Sequence, residues 1–207
     1  MALRAVLFDF GGVITSSPFD AFTRLEAELG LPADFIRTVN ATNPDENAWA
    51  RLERSEIDLD TFTSLWSEEA RALGHEVEGR AVLERLAGQV RPEMVAALRI
   101  CRTSYKTGCL TNNFGSADSE VSAEMAAIYE LFDAVLESRT LGVRKPDPRF
   151  YELACSALDV QPEECVFLDD LGVNLKPARM IGMHTIKVTD PEVALRELAE
   201  VLQLSFD

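Results

Sequence analysis

Five short apolar runs constrain this chain more than anything else in it: residues 5–8, 108–111, 134–136, 165–168 and 184–188. Each is too short for a buried helix and of ordinary length for a buried strand, and apolar residues at helical spacing fill much of the sequence between them. Strands alternating with helices predict a parallel sheet covered on both faces, so the strands need no polar alternation. Three of the runs meet polar residues at their ends: Asp9, then Thr111 and Asn112, then Asp169 and Asp170. A carboxylate at the end of a buried strand is costly unless something compensates its charge. Two glycines, Gly11 and Gly12, follow Asp9 at once.

The stretch from Pro18 to about Gly88 reads differently. Phe19, Phe22 and Leu25 recur at helical spacing before Gly30, and Leu59, Phe62, Trp66 and Leu73 form a second helical stripe. No strand pattern interrupts them. The expected architecture is therefore α/β: a Rossmann-like parallel sheet core, residues 1–16 plus 90–207, with an inserted all-helical cap over residues 17–89. In the second half, helices are expected from Pro92, around Ser119 to Tyr129, after Pro148 (with Phe150, Leu153 and Leu158), around Asn174 to Ile181, and after a cap at Thr189 or Asp190.

Composition excludes some classes of function. A length of 207 residues with 47% hydrophobic content suits one domain, or a core with an insertion. A formal net charge of −15 argues against a nucleic-acid surface and against anionic membranes. No apolar run approaches a membrane span, and Asp9 breaks the only stretch resembling a signal peptide. Cys101, Cys109, Cys155 and Cys165 lack metal or redox spacing and are expected to be reduced thiols, so the expected location is cytoplasmic. The Asn40-Ala41-Thr42 sequon then has no role.

The polar strand ends carry the chemistry. Open parallel sheets bind ligands beyond the carboxyl ends of their strands. If the three strands are neighbours, Asp9, Asp169 and Asp170 converge, and like charges that close need a cation to stay ionised together. Oxygen ligands without His or Cys favour a hard ion, Mg²⁺ being usual beside phosphate. Each piece alone has an ordinary reading: Asp169-Asp170 as a turn or helix cap, Thr111-Asn112 as turn residues, Lys145 as an exposed cation. Neither the dinucleotide fingerprint nor the Walker lysine pattern is present.

The ordered set is more specific than its parts. Phe8-Asp9-x-Gly11-Gly12-Val13, Leu110-Thr111-Asn112-Asn113, Lys145-Pro146 and Phe167-Leu168-Asp169-Asp170 with Asn174 together resemble the haloacid dehalogenase superfamily of phosphohydrolases. The resemblance spans essentially the whole chain. Within it, the residues from Phe167 to Lys176 and from His184 to Val188 look most like the N-terminal phosphatase domain of soluble epoxide hydrolase and the related domain fused to certain acyl-CoA dehydrogenases.

The resemblance implies roles residue by residue. Asp9 would be the nucleophile that forms an aspartyl-phosphate, and Lys145 would neutralise the charge that develops. Thr111 and Asn112 would bind the phosphoryl group. Asp9, Asp170 and the Gly11 carbonyl would ligate Mg²⁺, with Asp169 and Asn174 supporting them from behind. Gly11 departs from the pattern, because most superfamily phosphatases carry there a second aspartate that protonates the leaving group. Such help is worth about 10²–10⁴ in rate.

Three functions are consistent with this sequence. One is a Mg²⁺-dependent phosphohydrolase of a small phosphorylated metabolite, favouring good leaving groups. Another is a catalytically impaired phosphate-binding or regulatory module. The last is a 2-haloacid dehalogenase, against which the retained acidic pair counts. A monomer or homodimer is expected, with Trp49, Arg51, Arg54 and Glu56 of the insertion as candidates for selecting the substrate.

Overall fold

A computed structural model describes residues 2–86, 88–113 and 122–206. The sheet has five parallel strands, β1 (Ala5–Phe8), β2 (Lys106–Thr111), β3 (Ala134–Glu137), β4 (Cys165–Asp169) and β5 (His184–Lys187), in the order β3-β2-β1-β4-β5. The chain runs outward from β1 in one direction and returns to its other side for β4 and β5. The strands bearing the three polar ends are thus direct neighbours, with Phe8 level with Cys109 on one side and Leu168 on the other.

Burial on both faces explains the unbroken apolar runs. All four residues of β1 are fully buried. Val6 and Phe8 face one layer, with Met94 and Leu98 of α6 (Pro92–Cys101) and Leu198 of α11 (Pro191–Leu202). Ala5 and Leu7 face the other, with Phe150, Tyr151 and Leu158 of α9 (Pro148–Leu158) and Leu175 of α10 (Gly172–Met180). Successive side chains of a strand point to opposite faces, so a strand covered twice has no polar side to offer.

Among the described residues, five α-helices precede α6: α1 (Phe19–Leu29), α2 (Phe35–Ala41), α3 (Ala48–Glu53), α4 (Leu59–Ala72) and α5 (Gly79–Leu83). They enclose a core of their own, in which Phe22, Ile36, Leu52, Phe62, Trp66 and Val82 are buried. The Trp66 indole N–H satisfies itself on Asn40 Oδ1 at 2.7 Å. Of the expected stripe on α4, Phe62 and Trp66 are buried, whereas Leu59 and Leu73 at its ends are 44% and 40% exposed and Ala70 takes the next inward position. On α9, Leu153 is likewise exposed, and Ala154 and Cys155 point inward instead. Helix α7 (Ala123–Tyr129) starts at the Ser122 cap; residues 119–121 of the expected helix lie outside the described residues. A single-turn helix, α8 (Ser138–Leu141), follows β3 and ends at Gly142 in the left-handed region.

The two segments joining the helices to the sheet are fastened together. Thr15 and Val90 form an antiparallel bridge, Ser16 N donates to Gln89 O at 2.7 Å, and Arg91 N donates to Ile14 O at 2.9 Å. The Arg91 guanidinium donates to the Gly12 carbonyl at 2.7 Å, tying the second segment to the turn after β1.

Candidate active site

The site is built from the turn after β1 outward. Asp9 ends the strand's ladder by donating its N–H to Leu168 O at 2.8 Å, while its Oδ1 accepts the Phe10 N–H at 2.6 Å. The chain then makes a wide turn over Phe10–Ile14, closed by Thr15 N donating to Phe10 O at 3.0 Å. Gly12 has φ +81°, and a Cβ there would stand 2.2 Å from Asp170 Oδ2. Only glycine fits this close approach without displacing the carboxylate or straining the backbone. Gly11 is different. Its φ of −69° and ψ of 129° suit any residue, and a Cβ on it would meet nothing within 4 Å.

Lys145 occupies the centre of the site. Its side chain is 1% exposed, and Nζ lies 2.9 Å from Asp9 Oδ2 and 2.8 Å from Asp169 Oδ2. The ammonium also stands 5.5 Å from the centre of the Phe167 ring. The two carboxylates hold the lysine pKa above its ordinary value despite a burial cost that acts the other way. Asp169 is fully buried; its oxygens accept both 3.1 Å bonds from Asn174 Nδ2, and Oδ1 accepts the Leu171 N–H at 2.8 Å. Asn174 is itself held from behind, Tyr151 donating its hydroxyl to the Asn174 carbonyl at 2.7 Å. Asp170 is less deeply placed and accepts from Ser17 Oγ at 3.1 Å.

These residues fit a divalent cation. Asp9, Asp169 and Asp170 each offer a carboxylate oxygen, and the three oxygens lie within 4.8 Å of one another. Burial pushes Asp9 well above the usual carboxylate range, opposed by Lys145 and reinforced by Asp169 and Asp170. Burial, then the charge of Asp169, pushes Asp170 up to about 6. Three acidic groups sharing one lysine carry surplus negative charge, and an all-oxygen donor set of this kind matches a hard ion such as Mg²⁺.

The β2 limb adds Thr111 and Asn112. Thr111 is buried at the end of β2, level with Glu137. Asn112 turns its side chain onto the backbone of Lys145: Oδ1 accepts the Lys145 N–H at 2.9 Å and Nδ2 donates to the Lys145 carbonyl at 3.0 Å. Its amide therefore brackets the lysine.

The helical segment reaches this site through a residue the sequence did not single out. Glu53, at the end of α3, is 6% exposed; its Oε2 is ion-paired with Arg144 Nε at 2.9 Å and accepts Asn112 Nδ2 at a long 3.4 Å. Its Oε1 accepts the Trp49 indole N–H at 3.1 Å. Burial raises the Glu53 pKa, and the Arg144 charge works against that rise. Of the candidates in this segment, Arg54 pairs with Glu56 at 2.6 Å, and the Trp49 ring stands edge-on to Phe62 at 5.7 Å. Glu53 falls four residues after Trp49 on the same helical face, and that spacing was the one available clue.

A family model for haloacid dehalogenase-like hydrolases matches residues 3–182. Bifunctional epoxide hydrolase 2 of Mus musculus is 34% identical over 100% of this chain and 40% of its own length. Acyl-CoA dehydrogenase family member 10 of the same species is 36% identical over 96% of this chain and 19% of its own. The chain therefore spans well under half of those relatives. Phosphatase MT3486 of Mycobacterium tuberculosis is 32% identical over 91% of this chain and 88% of its own. Among solved structures, a dehalogenase with an intermediate complex superposes with a TM-score of 0.67 at 22% identity, over 99% of each chain.

Proposed function

The chain belongs to the haloacid dehalogenase-like hydrolase family, and we propose that it is a Mg²⁺-dependent phosphohydrolase of a small phosphorylated metabolite. The observation that carries this reading is the buried Lys145 bridging Asp9 and Asp169, with Asp170 in the same oxygen cluster. Phosphatase MT3486, alike over most of both chains, supports phosphatase chemistry.

In this reading Asp9 Oδ2 attacks phosphorus, the bond to the leaving oxygen breaks, and an aspartyl-phosphate forms that water then hydrolyses. Lys145 spreads its charge over the attacking carboxylate and the phosphoryl oxygens, and needs no reorganisation because two buried carboxylates already hold it. Thr111 offers a hydroxyl at the end of the neighbouring strand, and Asn112 fixes the lysine backbone. Asp9, Asp170 and the Gly11 carbonyl would hold Mg²⁺, with Asp169 and Asn174 behind them, and the ion would shield Asp9 from the charge of the phosphate. The helices over residues 19–83 act as the cap that selects the substrate.

Gly11 sets the substrate preference. No side chain at this position protonates the leaving oxygen, so groups that leave without a proton, as in acyl and anomeric phosphates, are turned over faster than simple alkyl phosphates. A phosphatase panel with and without Mg²⁺ tests this, with Asp9→Asn as control. Equal turnover of alkyl phosphates, or activity that survives in Asp9→Asn, counts against it.

One observation favours a second reading. Gly11 leaves open space where an acid would fit, as expected if the site binds phosphate without useful turnover. Single-turnover experiments separate the two: absence of both aspartyl-phosphate and phosphate release supports a binding module. Chloride release from 2-haloacids that is insensitive to EDTA would displace both readings.

A further inference from the structure

Glu53 is a buried carboxylate carried by the helical segment but satisfied by the sheet domain, and the mechanism above does not use it. Its contacts follow a pattern. Arg144 and Asn112, its two partners across the boundary, both grip the Lys145 backbone: Arg144 Nε donates to the Lys145 carbonyl at 3.2 Å, and Asn112 brackets the same peptide on its N–H and carbonyl sides. Arg144 also reaches the Pro44 carbonyl at 3.4 Å, so a second tie to the helical segment runs through the same guanidinium. On its own helix Glu53 is braced by the Trp49 indole. Two short chains of contacts thus run from α3 to the residue whose ammonium joins Asp9 to Asp169.

We infer that Glu53 is a positioning residue, which couples the seating of the helical segment on the sheet to the placement of the Lys145 ammonium. With α3 seated, Glu53 fixes the Arg144 guanidinium and the Asn112 amide, and these fix the lysine. With α3 lifted, both lose an anionic partner, and the lysine backbone loses its brace. The site is then complete only under the closed segment, which ties catalytic competence to exclusion of water. The inference rests on the phosphohydrolase reading for its kinetic consequence, but its mechanical consequence stands apart from turnover.

The experiment compares wild type with Glu53→Gln and Glu53→Asp, using acetyl phosphate and p-nitrophenyl phosphate with Mg²⁺. Amide hydrogen exchange is followed in parallel without substrate. The Lys145 amide is donated to Asn112, so its exchange reads the coupling directly. In Glu53→Gln the kcat falls about 10–100-fold with KM little changed, as for a misplaced catalytic group, and Lys145 exchange rises together with that of α3. Glu53→Asp recovers part of both. Should Glu53→Gln not fold, Arg144→Lys removes the same tie from the sheet side and gives the same paired change.

An unchanged kcat, or faster exchange confined to α3, overturns the positioning role and leaves the phosphohydrolase reading intact. If wild type hydrolyses neither compound, the phosphohydrolase reading fails. The exchange measurement still decides the coupling: a rise at Lys145 upholds it and no change rejects it.

Discussion

Lys145 and Asp169 form an ion pair with almost no exposed surface, Nζ to Oδ2 being 2.8 Å with side chains 1% and 0% exposed. Breaking a buried pair from one side costs far more than the pair contributes, because the abandoned charge cannot reach water. Lys145→Met should therefore lose about 3–5 kcal/mol at neutral pH without divalent ions, and Mg²⁺ should restore part of it. Urea denaturation with and without Mg²⁺ measures both; a loss below about 1 kcal/mol would mean that the carboxylates have another partner.

Asp170 gives the site a pH dependence of known sign. Its folded value is raised to about 6 from an ordinary 3.8, so without metal its contribution to stability is fully present below about pH 4 and is lost as pH rises through about 6. Its share is about 1–3 kcal/mol after discounting for partial exposure. Divalent binding must displace that proton. Mg²⁺ affinity should fall by up to about tenfold per pH unit below 6, with proton release visible by calorimetry in two buffers. Affinity that stays level between pH 5 and 7 contradicts this.

The two glycines of the turn should respond oppositely to alanine. Gly12→Ala combines a left-handed φ with a clash against Asp170 and should cost about 1–3 kcal/mol, with Mg²⁺ affinity falling too. Gly11→Ala, on ordinary backbone with open space, should be neutral or stabilising by up to about 1 kcal/mol. Gly11→Asp should fold equally well and raise turnover of alkyl phosphates by about 10²-fold or more. Thermal melts and a leaving-group series check all three; a destabilised Gly11→Ala would show a constraint at that position.

Asn174→Ala should act through Asp169, which loses one donor group and the two hydrogen bonds it makes. The expected cost is about 1–3 kcal/mol, with Mg²⁺ affinity lower by about 10–100-fold. Retained affinity in a destabilised variant would assign Asn174 to folding alone.

The sheet and the polar strand ends were legible because each is local: a run of apolar residues and the carboxylate closing it are read within a few positions. The convergence of Asp9, Asp169 and Asp170 followed from chain order once the strands were placed side by side. Glu53 and Arg144 were not legible in the same way. Each looks like one more charged residue on a polar stretch, and only tertiary packing shows that they meet. The stripe on α4 shows the other limit: periodicity named Leu59 and Leu73 as core, but the neighbours reach only as far as the middle of that face. Asn112 was legible as a residue of the site, whereas its engagement with the Lys145 backbone rests on a contact 33 positions away.

The bridge between Thr15 and Val90 makes the five leading helices an arm on a single joint. Both connections leave the sheet at one place, so among the described residues rotation of the arm is resisted by side-chain ties such as those of Arg144 to Glu53 and Pro44. The joint is not isolated from the chemistry: Arg91, one residue beyond it, holds the Gly12 carbonyl, and Ser17, on its other side, holds Asp170. Any swing of the arm is therefore felt twice, through Glu53 where it meets Arg144 and Asn112 and through Ser17 and Arg91 at the turn beside Asp9.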